Sequence, residues 1–199
     1  MSRCVIATLS AVGRWEPDAV GRLRTAAMEL YVERGYEQTT VADIAERAGL
    51  TARTFFRHFA DKREVLFAGS AELEERMVAA LVGAPPAASP IDAVAAAVAV
   101  AAGLLGDNRA YSCQRQQVIT ANAELREREL IKLDTLGTAL AAGLRERGVA
   151  DSEAGLAADA GVLVFRQGFA RWAADPVDRD LADVMCDLFD QLRAITAAR

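Results

Sequence analysis

Between Thr51 and Phe67 the chain reads TARTFFRHFADKREVLF. This places four cationic side chains, Arg53, Arg57, Lys62 and Arg63, among four phenylalanines, with hydroxyls at Thr51 and Thr54 and the sole histidine, His58. Guanidinium, ammonium, hydroxyl and imidazole donors gathered without matching carboxylates suit an anion, above all the phosphates of a nucleic acid. From Thr51 to Arg63 only Asp61 opposes the cations. The same residues do not make a catalytic set, because no Ser, Cys or carboxylate stands in a triad arrangement with His58. Cys4, Cys113 and Cys186 are odd in number, far apart and without a CxxC pair, so they read as free thiols, two of them buried. No catalytic residue, metal site or cofactor is expected.

A chain of 199 residues that is 52% hydrophobic and 26% charged has the composition of a soluble globular protein. Its net charge of -5 argues against nucleic-acid binding by the whole surface. The charge is uneven: residues 1–68 hold ten Lys/Arg against nine Asp/Glu, and the remainder thirteen against nineteen. The longest apolar run, Ala93 to Leu105, is shorter than the roughly 20 residues of a membrane-spanning helix. The opening MSRCVIATLSAVGRW lacks a convincing cleavage site. It reads as a tail, with Arg14 and Trp15 able to reach an adjacent groove, and a cytoplasmic location without a membrane partner is expected.

The elements that must position the donors all read as helices, since no stretch alternates at period two. Pro17 to Arg34 puts Leu23, Ala27, Leu30 and Tyr31 on one stripe, closed by Gly35 as a left-handed cap. Thr40 caps a second, short helix with Asp43 at its third position and Val41, Ile44, Ala45 and Ala48 as its apolar stripe. Gly49 ends it, Leu50 folds under, and Thr51 caps a third helix after a turn of about three residues. On that helix Ala52, Phe55 and Phe59 are expected to share the buried face, with Phe56 at its border. A helix so short is unstable alone, so aromatic anchors must fix it and free its outer side for donors. Asp61 and Glu64 form a capping pair for a fourth helix running to about Val82. Lys62 and Arg63 in its first turn oppose the macrodipole unless an anion sits there. GAPPAASP, residues 83–90, is the one Pro-rich loop. Helices follow at Ile91–Leu105, Arg109–Thr120, Asn122–Arg147, Ser152–Ala174 and Asp178–Ala198, and their short connections predict antiparallel neighbours.

The stretch GYEQTTVADIAERAGLTARTFFRHFADKREVL, residues 35–66, resembles the tetracycline-repressor (TetR) family of bacterial transcriptional regulators in order, spacing and chemistry. The resemblance implies an all-α protein of about nine helices. A tail (1–16) would precede a three-helix helix-turn-helix head (17–63), and a ligand-binding and dimerising bundle (64–199) would follow. It also implies a homodimer whose third helices enter successive major grooves of a palindromic double-stranded DNA operator. By position, Thr40, Thr54, His58 and Lys62 would hold DNA phosphates, Arg53 and Arg57 would approach base edges or backbone, and Thr51 is counted among the DNA-binding residues. Phe56 departs from the family, which often carries a phosphate-binding Tyr there, and is left as core or as a contact to a thymine methyl.

The bundle carries two further expectations. Ala158, Gly161 and Phe165 on the eighth helix, with Met185, Leu188, Phe189 and Leu192 on the ninth, exceed what one seam needs and would form a symmetric interface. Tyr111, Cys113, Gln114, Gln117, Phe165, Phe169 and Trp172 would line a cavity for a small apolar ligand that releases a repressor from DNA. The alternatives are a regulator without an inducer, constitutive or switched by oxidation of Cys113, an all-α enzyme, or a dimeric scaffold.

Overall fold

The computed structural model describes residues 18–177 and 179–197. The expected tail, with Cys4, Arg14 and Trp15, and the expected helix starts at Pro17 and Asp178, lie outside them. The described residues are all-α: α1 (Ala19–Arg34), α2 (Val41–Arg47), α3 (Ala52–His58), a 3-10 turn (Glu64–Phe67), α4 (Ser70–Val82), α5 (Pro90–Gly106), α6 (Arg109–Ala121), α7 (Ala123–Glu146), α8 (Asp151–Ala174) and α9 (Leu181–Thr196). No single helix among them is long and apolar enough to cross a membrane.

Two apolar cores organise the chain. The first joins Leu23, Leu30 and Tyr31 of α1 to Ile44, Phe55 and Phe59, then takes in Val65, Leu66 and Phe67 of the 3-10 turn. It does not stop at the head, because Val118 and Ile119 of α6 and Leu125 of α7 belong to it. The second core is built around α5, where Ala93, Val94, Ala97, Val98, Ala101 and Ala102 are all buried. A helix apolar on every side is an interior helix. Its small residues let α4, α7, α8 and α9 close around it.

Three expectations change. The fourth helix does not run unbroken from Asp61: the 3-10 turn comes first, and α4 starts only after Gly69, whose φ of 89° is left-handed. The reason is local, since Val65, Leu66 and Phe67 are drawn into the head's core and a residue tolerant of positive φ must redirect the chain. Consecutive helices are not all antiparallel, for α5 and α6 meet at a bend of 99°. That bend takes α6 across to the head. Of the described cysteines neither is buried: Cys113 is half-buried and Cys186 exposed. A smaller difference concerns Gly35, which adopts positive φ (86°) with an extended ψ of 155° rather than the left-handed helical pair.

The residues expected at a dimer interface are mostly this chain's own core. Ala158, Gly161, Met185 and Phe189 are buried, Leu188 is nearly so, and Phe165 and Leu192 are half-buried against the same cluster. Gly161 lies against Val94 of α5 and Gly168 against Met185 of α9, so the small residues of α8 serve close approach within the protomer. The Gly161→Ala variant therefore overpacks α8 against a stiff β-branched neighbour. It is expected to lose about 1–3 kcal/mol in chemical denaturation; a midpoint equal to wild type would show that α5 and α8 have room to spare.

Candidate nucleic-acid interface

Each helix of the head starts where a side chain satisfies an orphan amide. Asp18 accepts from the Gly21 amide at 2.7 Å. Thr40 forms the full capping box with Asp43, accepting from its amide at 3.2 Å while the Asp43 carboxylate accepts from the Thr40 amide at 2.9 Å. Thr51 accepts from the Thr54 amide at 3.1 Å. Between α2 and α3, Gly49 has φ 66°, and the Leu50 amide donates back to the Ala45 carbonyl at 2.8 Å. Long-range cations lock this turn. Arg22 of α1 donates to the Ala48 carbonyl through Nε at 3.0 Å and also through Nη2. Arg47 of α2 pairs with Glu29 and Glu33 of α1.

On α3, Phe55 is fully buried and Phe59 nearly so, their ring centroids 5.5 Å apart. Ala52, expected on that buried face, is exposed instead. The outward side consists of Thr51, Ala52, Arg53, Phe56, Arg57 and His58, all exposed, with Thr54 half-buried and its hydroxyl 3.0 Å from that of Thr51. Arg57 approaches His58 at 3.4 Å, while Arg53 has no ion pair among the described residues. Phe56 is 58% exposed, which removes it from the core. Thr40 is exposed beside this surface, its hydroxyl bonded to Asp43 at 2.6 Å.

Lys62 is the principal change at the site. Its ammonium turns into the fold and donates to the carbonyls of Tyr36 (2.8 Å) and Thr39 (3.0 Å), with Glu37 at 3.5 Å. It also sits 4.2 Å from the Tyr36 ring centroid. All three donors of an ammonium are thereby directed at backbone. Here Lys62 fastens the α1–α2 connection rather than presenting a charge outward, and Tyr31 reinforces it by donating to the Lys62 carbonyl at 2.7 Å.

Sequence reasoning missed the junction between head and bundle. Arg63 bridges Asp61 (2.6 Å) and Glu124 (2.9 Å), and Glu64 accepts from Arg128 at 2.5 Å with Lys132 at 3.5 Å. Arg115 of α6 donates to the Leu66 carbonyl at 2.6 Å and lies over the Phe67 ring. The partners are some sixty residues apart in sequence for Arg63, and only Glu124 and Arg128 at i, i+4 on α7 hinted at a common face. A cleft of about 610 Å³ opens at this junction, lined by His58, Asp61, Glu64, Glu127, Arg128 and Ile131 among others.

The expected ligand-pocket residues line neither that cleft nor the groove of about 460 Å³ between α7 and α8. Tyr111 packs on the head's core with Arg24 over its ring, Gln114 and Gln117 are exposed, and Phe169 and Trp172 form a packed ring pair. Cys113 donates to the Ala173 carbonyl at 3.8 Å, and Phe165 lies against the bundle core.

Residues 23–68, which span the capped turn and its aromatic anchors, match the family described as bacterial regulatory proteins, tetR family. The head of this chain is thus similar to that of the TetR family. Over 81 residues it is 41% identical to the HTH-type transcriptional regulator TcmR of Streptomyces glaucescens, a match covering 41% of this chain and 36% of TcmR. The TetR-family resemblance to curated relatives is thus confined to about a third of their length or less; for YvkB of Bacillus subtilis it is 45% identity over 42 residues, 22% of that protein. Among solved structures, FadR of Thermus thermophilus, a TetR-family transcriptional repressor in complex with lauroyl-CoA, is 26% identical with a TM-score of 0.57, covering 90% of this chain and 96% of FadR. A TetR-family regulator of Syntrophomonas wolfei shares the fold at 13% identity and a TM-score of 0.66, over 90% of this chain and 96% of that one.

Two outcomes are expected from this geometry. The Lys62→Met variant leaves part-buried carbonyls unsatisfied and should cost about 1–3 kcal/mol of stability in thermal or chemical unfolding; no loss would mean that the inward ammonium is not holding the turn. The junction should also weaken in acid. Arg63 holds the Asp61 carboxyl below its ordinary 3.8, and at Glu64 burial raises the value but Arg128 and Lys132 outweigh it, leaving it below 4.5. Both groups are more acidic folded than unfolded, so their contribution is complete above about pH 4.5 and is lost as the pH falls through the folded values. Glu64→Gln should flatten the acid limb of a plot of unfolding midpoint against pH.

Proposed function

We propose that this chain is a sequence-specific DNA-binding transcriptional regulator, acting as a dimeric repressor on a palindromic operator and released by a small apolar ligand. The observation that carries the reading is the outward face of α3. Exposed cations and hydrogen-bond donors sit there on a capped helix whose other side is pinned by Phe55 and Phe59. Such a helix fits the major groove, where Arg53, without an ion pair among the described residues, can reach a guanine edge. Thr40, Thr51, Thr54, Arg57 and His58 supply backbone contacts that set the register. Lys62 acts one step behind them by shaping the connection on which Thr40 stands.

Dimerisation is assigned to what the protomer leaves uncovered. Leu156 and Leu163, seven residues apart on one face of α8, are 73% and 42% exposed, and Ile195 on α9 is 80% exposed. Large apolar side chains left in water on adjoining helices suit an isologous contact with a second copy. The lauroyl-CoA held by the Thermus thermophilus relative supports an apolar acyl chain as the ligand class. Where Phe169 and Trp172 pack on one another, entry of such a chain would part them. Its preference for the parted state would provide the coupling free energy to the heads.

The deciding experiment is selection of bound duplexes from a random library by the purified protein at two salt concentrations. A recovered palindrome is the expected result, and sequence-free, salt-sensitive binding alone would overturn the reading. Arg53→Ala should lose about 1–3 kcal/mol on the recovered duplex and relax the preference at one base pair per half-site. Leu163→Glu should shift the protein from dimer to monomer in analytical ultracentrifugation. A long-chain acyl-CoA should lower duplex affinity where free CoA does not.

A further inference from the structure

Phe56 does what no donor on its helix can do, and this inference rests on the regulator reading above. Of the three phenylalanines on or beside α3, Phe55 and Phe59 are 0% and 8% exposed, whereas Phe56 stands 58% in water. Its ring is not loose, because it meets the buried Phe55 ring edge-on at 5.5 Å and an interplanar angle of 82°. Four residues earlier, and so on the same side of the helix, Ala52 is also exposed. Together they make a short apolar strip alongside Arg53 and Arg57.

A phenyl group has no hydrogen to give a phosphate oxygen, and its negative ring face does not attract an anion. Within a major groove every base edge offers donors or acceptors, and the one apolar group is the C5-methyl of thymine. We infer that Phe56, supported by Ala52, is a specificity-determining contact that selects a thymine in each half-site through its methyl group. The arginines beside the strip keep the helix on the backbone and the neighbouring bases while the ring covers the methyl.

The test uses the tightest duplex recovered from the random library and copies in which each thymine is replaced singly, or symmetrically in both half-sites, by deoxyuridine. This removes only the methyl. Burial of one methyl predicts a loss of about fourfold for one half-site, and about fifteenfold for both, at a single thymine position. Phe56→Ala should bind the thymine duplex more weakly and show no further loss with deoxyuridine, while Phe56→Leu should retain part of the discrimination. Phe56 is largely exposed, so these variants should stay folded, with an unfolding midpoint lowered only slightly by the lost edge contact with Phe55. A flat deoxyuridine scan, or the same loss in Phe56→Ala as in wild type, would overturn the inference and leave the regulator standing. Failure to recover any preferred duplex would instead overturn the regulator reading, and this inference with it.

Discussion

The burial of Phe55 and Phe59 is the contact on which the rest of this structure depends. Helix α3 has seven residues, far too few to hold together in water. Its existence is owed to two rings sunk among Leu23, Leu30 and Ile44, and to the Thr51 cap that starts it. Only because that side is fixed can the other display Arg53, Phe56, Arg57 and His58 in a constant arrangement.

Around this anchor the chain repeats one device, an arginine from a distant element reaching the carbonyls at a helix end. Arg22 closes α2 at Ala48, Arg147 closes α4 at Val82 and Ala84, and Arg109 closes α8 at Trp172 and Asp175. A planar fork with several donors suits orphan carbonyls, and a cation there also favours the negative end of the helix dipole. These arginines are thus tied to the backbone, whereas Arg53 and Arg57 on α3 are exposed.

The head is not an independent bead on the bundle. Val118 and Ile119 place α6 inside the head's core, and the Arg63–Glu124 and Glu64–Arg128 pairs tie the 3-10 turn region to α7. A displacement of α6 or α7 by a bound molecule therefore acts on the surface beneath α3 through side chains already in contact. The packing thus couples the positions of α6 and α7 to that of the head.

The order and character of the head were legible in the chain: Thr40 with Asp43, Gly49 and Thr51 are local signals, because caps and left-handed turns are decided by residues within three or four positions of one another. The same locality made the later helix bounds readable to within a few residues. What sequence spacing could not decide was direction. Lys62 looked like an outward cation until the fold brought the Tyr36 and Thr39 carbonyls to it, and Gly161, Met185 and Phe189 looked like surplus until α5 was found lying against α8 and α9. Gly69 split the fourth helix because the head's core drew Val65, Leu66 and Phe67 inward. Local chemistry is written in neighbouring residues and was determined by the sequence itself; which face meets protein and which meets solvent depends on partners some twenty to seventy positions away, and only the tertiary structure decided it.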